Sequence, residues 1–340
     1  MQKLYIISNE RIFIDKESFF CDNIDLKSTS EGLSKNFEVN LIAKKSRKKR
    51  FHKINLKKIT THSNIISFLF SIFKSLKDKN TKYLIISIAP FTFLGNILLK
   101  LFKKKPSVYL RSDGFGQYKA ILGFIGPIIY YVMFVITSKI SFLISCRDYI
   151  LRSKTGDIVT PSQLNKNWFL ERKKAVLNPV KLLYVGRIRV EKGIFSLLEL
   201  LKKKHDNFLL SIVGAENNYR NNIQQENVNI YEIENNEKNL IEIYDNHNIF
   251  VLPSFTEGYP MALLESLARL RPVIIFKDIE HVVENKKGIF VVERNFLSFS
   301  EKVSYILDNY ASIQKQMETN ILPTNKNFID QISQIIIKRS

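Results

Sequence analysis

The stretch "IFVLPSFTEGYPMALLESLARLRPVI", residues 249–274, runs from a β-branched and aromatic strand pattern through a Pro-Gly-Pro loop into an apolar helical pattern and out into a second strand. Strand, loop, helix and strand in so short a span describe a βαβ unit, the building block of a parallel sheet. Glu257 falls in the loop and Glu265 eight positions later within the helix. Pro260, which has no N–H to leave unpaired, is expected as the first helical residue. The N–H groups and positive dipole end of such a helix start favour an anionic ligand. The two carboxylates then read as hydroxyl acceptors around it, each able to take two hydrogen bonds from a vicinal diol such as a ribose or a hexose. Taken singly, Glu257 could simply stabilise the helix dipole and Glu265 could occupy open surface. In a helix as apolar as "MALLESLARL", however, an isolated carboxylate needs a polar partner.

Upstream, "LYVGRIRVEKG" (residues 183–193) ends a strand at Gly186, with Arg187 next and Lys192 ahead of Gly193 and an apolar helix. Arg187 offers a planar fork and Lys192 a mobile point charge, a combination able to hold a diphosphate. The alternative is a solvated basic loop, and Arg189 reads as pointing to solvent. The second half continues as strand 181–185, helix 194–203, strands 208–213 and 228–231, helix 237–244, strand 249–252, helix 260–270 and strand 273–276. Ligands of doubly wound sheets collect at the carboxyl ends of strands, which directs attention to the turns after Val185 and Leu252.

The first half repeats the alternation, with strands expected at 3–7, 38–43, 83–87, 107–111 and 141–145 and helices at 31–36, 64–77, 93–103 and 120–138. Polar sequence around 165–180 separates the halves. The expected organisation is one Rossmann-like domain over 1–177, a second over 178–325, and a C-terminal helix over 326–340 that could cross back to the first. A chain of 340 residues suits two domains. Hydrophobic residues at 45% and charged residues at 25% match an ordered globular protein and exclude global disorder. Two cysteines, Cys21 and Cys146, exclude a disulfide framework and fit a reducing cytoplasm.

The whole net charge of +20 sits in residues 1–178, which carry 32 Lys and Arg against 12 Asp and Glu. Such asymmetry points to an anionic partner for that half. "KKSRKKR" (44–50), "KKK" (103–105) and the uncharged run 120–138 suggest an anionic bilayer surface. That run approaches the length of a membrane span, but Gly123, Gly126 and Pro127 interrupt it, and it reads as a buried or membrane-lying helix. In "VYLRSDGFGQY" (108–118), Asp113 closes a strand and is the candidate for orienting or deprotonating an acceptor, or else an ordinary turn aspartate before Gly114.

Gly186-Arg187 with Lys192-Gly193, followed by the long "VLPSFTEGYPMALLESLARLRPVI" stretch and its E-x7-E pair, resembles the donor domain of family 4 glycosyltransferases. That resemblance covers residues 180–276 well and the amino-terminal half mainly in architecture. It implies a GT-B fold: α/β, two Rossmann-like doubly wound parallel-sheet domains facing a cleft. It further implies that Arg187 and Lys192 bind a donor diphosphate, Glu265 the ribose hydroxyls and Glu257 the transferred sugar, with Gly186 and the N–H groups of Gly258 and Tyr259 near the phosphates. The family mostly retains anomeric configuration and uses no metal or other cofactor beyond the nucleotide-sugar, and no D-x-D metal signature occurs here. The sequence departs from the family pattern at "IVGAENN" (212–218), where a second glycine is usual, and near "FFCDNIDLKSTSEGLS" (19–34), where a Gly-rich loop is usual.

The function implied is a retaining, metal-independent transfer of a sugar to a glycan or polyprenyl- or lipid-linked acceptor during bacterial surface polysaccharide or lipopolysaccharide synthesis. Its place would be the inner face of the cytoplasmic membrane. Two competing classes are a basic nucleic-acid-binding protein and a catalytically silent membrane-associated partner. No nucleic-acid partner is expected, because no known module is present and the acidic pair would be purposeless. The intact set Arg187, Lys192, Glu257 and Glu265 argues against silence.

Overall fold

The computed structural model describes residues 1–78, 80–202, 208–215 and 226–339. The chain divides into two compact units, Met1–Gln163 with Thr324–Ser340, and Leu164–Pro323.

In the first unit the chain order is β1 (Gln2–Asp15), β2 (Ser18–Cys21), α1 (Ile24–Leu33), β3 (Phe37–Lys45), β4 (His52–Ile54), β5 (Lys58–His62), α2 (Ile65–Ser75), β6 (Thr81–Ile86) and α3 (Pro90–Leu101). It continues with β7 (Ser107–Leu110), α4 (Gly114–Leu122), α5 (Ile125–Ile140), β8 (Phe142–Ser145), α6 (Asp148–Leu151) and β9 (Gly156–Ile158). The sheet order is β4-β2-β1-β6-β7-β8-β9, with β3 on β1 and β5 on β3. β1 pairs in parallel with β3 and β6, slips register between Ile7 and Arg11, and then turns back antiparallel onto β2. The first sheet is therefore mixed, a correction to the wholly parallel expectation. The "FFCDNID" segment, where a Gly-rich loop was in question, forms β2 and the start of α1. Asn23 caps that helix by accepting from the Asp25 and Leu26 N–H groups, so α1 lies earlier in the chain than the expected 31–36.

The apolar run of 120–138 is broken at Gly123–Phe124 into α4 and α5. Among the described residues no helix is long and apolar enough to cross a membrane. α5 buries Tyr130, Met133, Phe134 and Thr137 and leaves Ile125, Ile128, Ile129, Val132 and Ile136 exposed.

The second unit follows as β10 (Val180–Val185), α7 (Ile194–Leu201), β11 (Phe208–Ala215), β12 (Val228–Glu232), α8 (Glu237–Asp245), β13 (Ile249–Leu252), α9 (Met261–Ala268), β14 (Val273–Phe276), β15 (Ile289–Val292), α10 (Phe296–Asp308) and α11 (Tyr310–Met317). Its order β12-β11-β10-β13-β14-β15 is parallel throughout. Strands so fully buried carry nearly continuous Leu, Ile, Val and Phe. Of the expected helix 194–203, the end at Lys203 lies outside the described residues.

The second unit begins at Leu164, earlier than the expected 178, because the segment after it is locked into the second core. Trp168 is 2% exposed and stacks edge-on to Tyr244 at 5.7 Å. Arg269 donates to the carbonyls of Trp168 (3.1 Å), Leu170 (2.7 Å) and Glu171 (3.0 Å). Arg269 and Arg271 are the two largest fully buried side chains, and the first forms a two-pronged pair with Asp245 at 2.9 and 2.6 Å. The last helix, α12 (Asn325–Lys338), belongs to the first unit, where Phe328, Ile329, Ile332 and Ile336 join the core of β1, β3, β6 and β7.

Removing one partner of a buried ion pair leaves an uncompensated charge and costs about 3–5 kcal/mol. Asp245→Ala should therefore lower the urea midpoint of the protein steeply, whereas Glu242→Ala, at an exposed pair with Lys173, should leave it within about 0.5 kcal/mol.

Candidate functional site in the second unit

In the second sheet the chain leaves β10 for β11 on one side and returns to β13 on the other. The carboxyl ends of β10 and β13 therefore flank the topological switch point, the place where doubly wound sheets bind ligands. The turn after β10 carries Gly186 and Arg187, fixed by the Tyr184 hydroxyl donating to the Arg187 carbonyl at 2.9 Å. Burial pushes that phenol well above its ordinary range, so it stays a neutral donor. A 3-10 turn, Val190–Lys192, then leads through Gly193 into α7.

Gly193 has φ +66°, and a Cβ there would stand 1.9 Å from the Pro253 carbonyl oxygen. Only glycine permits both the left-handed conformation and this approach. The result is that the start of α7 touches the end of the β13 loop, and the Phe255 N–H donates to the Glu191 carbonyl at 3.0 Å. Gly214, at φ +119° within β11, likewise lies against the Gly186 carbonyl, 2.4 Å from where its Cβ would be. The glycine in "IVGAENN" thus serves close backbone packing, while the residues from 216 onward in that motif lie outside the described residues.

Lys192 and Glu257, expected as separate phosphate and sugar ligands, meet directly: Nζ donates to Oε1 at 2.7 Å, and Ser254 Oγ donates to the same oxygen at 2.6 Å. The Glu257 side chain is 8% exposed and that of Lys192 24%. Arg187 is exposed, and its guanidinium forms no ion pair among the described residues. Pro260 has φ −76° and ψ 110° and sits just ahead of the helix, not inside it as expected, so α9 begins at Met261. Extended backbone at Pro260 lets the Gly258-Tyr259 segment turn back from the strand end. Neither α7 nor α9 has a side-chain cap. The start of α7 follows Lys192 directly and that of α9 follows the Glu257 loop, an arrangement suited to an anion with hydroxyls attached.

Glu265 lies one turn into α9, half-buried, and accepts from the Tyr244 hydroxyl at 2.8 Å. Burial first, and the carboxylate next, hold the Tyr244 phenol far above its ordinary pKa, which makes it a permanent donor. This is the polar partner the apolar helix required. Sequence reading missed Tyr244, which is distant along the chain. It also missed Ser254, three residues before Glu257, and His281, whose Nε2 is 2.9 Å from the Glu257 carbonyl oxygen. Arg294 was missed too: it is sandwiched between the Phe255 and Phe276 rings at 4.2 and 4.3 Å, bonds Asp278, and donates to the Pro253 carbonyl at 3.1 Å. It holds the loop that carries Glu257.

Asp113 belongs to the first unit. It caps α4, Oδ1 accepting from the Phe115 N–H at 3.1 Å, and Oδ2 lies 3.6 Å from Arg152. The carboxyl edge of that sheet also holds Glu10, which accepts from Arg111 at 3.0 Å and Asn23 at 2.7 Å, while Arg111 Nε is buried without a partner among the described residues. Burial raises both thiols, Cys21 and Cys146, to about 11, and neither can serve as a nucleophile at neutral pH.

Residues 167–321 match the family described as glycosyl transferases group 1. That match takes in nearly the whole of the second unit. A glycosyltransferase of Haemophilus influenzae, itself described as uncharacterized, is 30% identical over 48% of this chain and 49% of its own length. The chain thus spans about half the length of that curated relative. A second relative, the N,N'-diacetylbacillosaminyl-diphospho-undecaprenol alpha-1,3-N-acetylgalactosaminyltransferase of Campylobacter jejuni, is 24% identical over 78% of this chain and 79% of its own. Among solved structures, Anabaena HepE in complex with UDP and glucose superposes with a TM-score of 0.70 at 10% identity, covering 100% of this chain and 99% of that one. The two units together have the GT-B fold.

Gly193→Ala should destabilise the second unit by about 2 kcal/mol or more, because the added methyl meets backbone and the left-handed conformation is strained. Urea unfolding measures this, and a loss below about 0.5 kcal/mol would contradict the close approach to Pro253.

Proposed function

We propose that the protein is a retaining glycosyltransferase that moves a sugar from a nucleotide-sugar to a glycan or lipid-linked acceptor in bacterial surface polysaccharide synthesis. The observation that carries the reading is the Lys192–Glu257 pair, with Arg187 on the turn after β10 and the starts of α7 and α9 following it, at the switch point of a unit that matches the group 1 glycosyl transferases. Cleaving a sugar–diphosphate bond builds negative charge on the leaving oxygen. Arg187, Lys192 and the helix N–H groups are preorganised to receive it, which gives the leaving group its stabilisation without a metal ion. The acceptor oxygen bonds to the anomeric carbon on the face from which the diphosphate departs, and its proton passes to a phosphate oxygen. Glu257, steadied by Ser254, orients the sugar. Glu265, with Tyr244 behind it, takes the ribose hydroxyls, Gly186, Gly258 and Tyr259 line the phosphates through backbone, and Asp113 orients the acceptor.

The lipid-linked acceptor is favoured by the name of the Campylobacter relative. The first unit, with 31 Lys and Arg against 12 Asp and Glu, suits peripheral attachment to the inner face of an anionic membrane. We assign the contact to the exposed apolar side of α5, which lies between Lys119 on α4 and Lys139.

The test is a thermal-shift and hydrolysis screen against UDP-, GDP-, dTDP- and CMP-sugars. Glu257→Gln should lower turnover about a hundredfold with little change in donor affinity, and Arg187→Ala should lower it similarly. Glu265→Ala should weaken nucleotide binding about tenfold. Undiminished turnover in both glutamate variants, or no response to any nucleotide-sugar, would remove the proposed site.

A further inference from the structure

The first unit has a second basic concavity, at the amino ends of β1, β6, β7 and β8, the edge opposite to the one where parallel sheets hold their substrates. It encloses about 520 Å³, within the range of small-molecule sites. Gln2, Lys82, Lys103, Lys105, Phe142 and Arg339 line it. The position of the lysine run is built in: α3 ends in a tight turn with Lys103 at φ +57°, the Lys103 N–H on the Lys100 carbonyl and the Lys104 N–H on that of Leu99, both at 2.9 Å. Arg339, at the end of α12, is gripped by both oxygens of Asp157 at 3.0–3.2 Å. The Phe142 ring forms a shared wall, with Lys105 4.1 Å and Arg339 5.3 Å from its centre.

Asp157 is engaged by Arg339, and among the described residues Lys82, Lys103 and Lys105 meet no carboxylate. Cations brought to one hollow with so little compensation repel each other, and Lys82 is further pressed toward its neutral form by burial. A bound anion relieves both costs. Point-charge ammonium groups around a cavity suit a tetrahedral, multiply charged phosphate more than a planar carboxylate. Leu101 and Phe102, just before the lysine run, and Ile337 on α12, whose carbonyl accepts from Lys82 at 3.5 Å, are exposed apolar side chains. We propose that this cavity binds a phosphate group, carried either by a membrane lipid headgroup or by a free phosphate compound. The site is separate from the donor site in the other unit.

Three full-length proteins test this: the natural chain, Lys103→Gln with Lys105→Gln, and Lys53→Gln with Lys57→Gln, which removes equal charge from exposed positions of the same unit. Each is titrated with inorganic pyrophosphate by calorimetry, and sedimented with phosphatidylcholine vesicles with and without phosphatidylglycerol. Any anion site in the other unit contributes equally to all three and cancels. The natural chain and the 53/57 variant should bind alike, and the 103/105 variant about tenfold more weakly. A difference in the vesicle arm alone assigns the phosphate to a lipid, and a difference in the pyrophosphate arm assigns it to a free compound as well. Equal weakening in both variants, or no saturable binding of either probe, overturns the proposal. Unchanged thermal melts of the 103/105 variant exclude misfolding as the cause.

Discussion

The second unit is organised around a charge that its core cannot leave unpaired. Arg269 and Arg271 are buried almost completely, with Asp245 as their one counter-ion among the described residues. Backbone carbonyls of Trp168, Leu170 and Glu171 take the remaining donors of Arg269, and those of Lys173, Tyr244, Asp245 and Arg269 take four donors of Arg271. Ionised groups removed from water survive only when every hydrogen-bonding position is answered. That demand ties together the segment after Leu164, the end of α8 and the end of α9. A helix fixed at its carboxyl end by such a network presents its amino end in one orientation, and the amino end of α9 is where Glu257 and Glu265 are set.

The site follows from this frame by short steps. Strand order puts the ends of β10 and β13 side by side. A glycine at position 193 lets the α7 start close against Pro253. Arg294, held between two phenyl rings, fixes the same loop from its other side. Each contact is made to backbone atoms of the Pro253–Glu257 segment or its neighbours, so the carboxylate of Glu257 is positioned by the loop's conformation and by Lys192 and Ser254 together.

Much of this was legible in the residues. The βαβ reading of 249–274, the strand from Lys181 to Val185 and the basic turn that follows it all rest on local periodicity and turn chemistry, which survive folding when packing agrees with them. What escaped were contacts between residues far apart in sequence. Nothing around Tyr244 announces that its hydroxyl ends on Glu265, and nothing local in "LARLRP" marks its two arginines as buried, because their counter-ion Asp245 arrives from another helix. The antiparallel turn of β1 onto β2 escaped for a different reason: the paired segments, Phe13–Asp15 and Ser18–Phe20, are short and flanked by charged residues, so their alternation is weak. Pro260 was misplaced by one position, within the ordinary uncertainty of helix ends, because an extended proline before a helix and a helical proline at its first turn satisfy the same missing N–H.

The ammonium group of Lys192 is engaged by the Glu257 carboxylate. On the proposed reading, a phosphate arriving there does not meet a bare cation but displaces a resident anion, so the pocket would behave as an ion exchanger. The electrostatic gain on loading is the difference between two pairings, smaller and less sensitive to ionic strength than the tally of positive side chains implies. Glu257, relieved of its cation and 8% exposed, is left seeking a new hydrogen-bond donor at the moment a hydroxyl-bearing ring comes within reach. Occupancy of one half of the pocket in this way prepares the other.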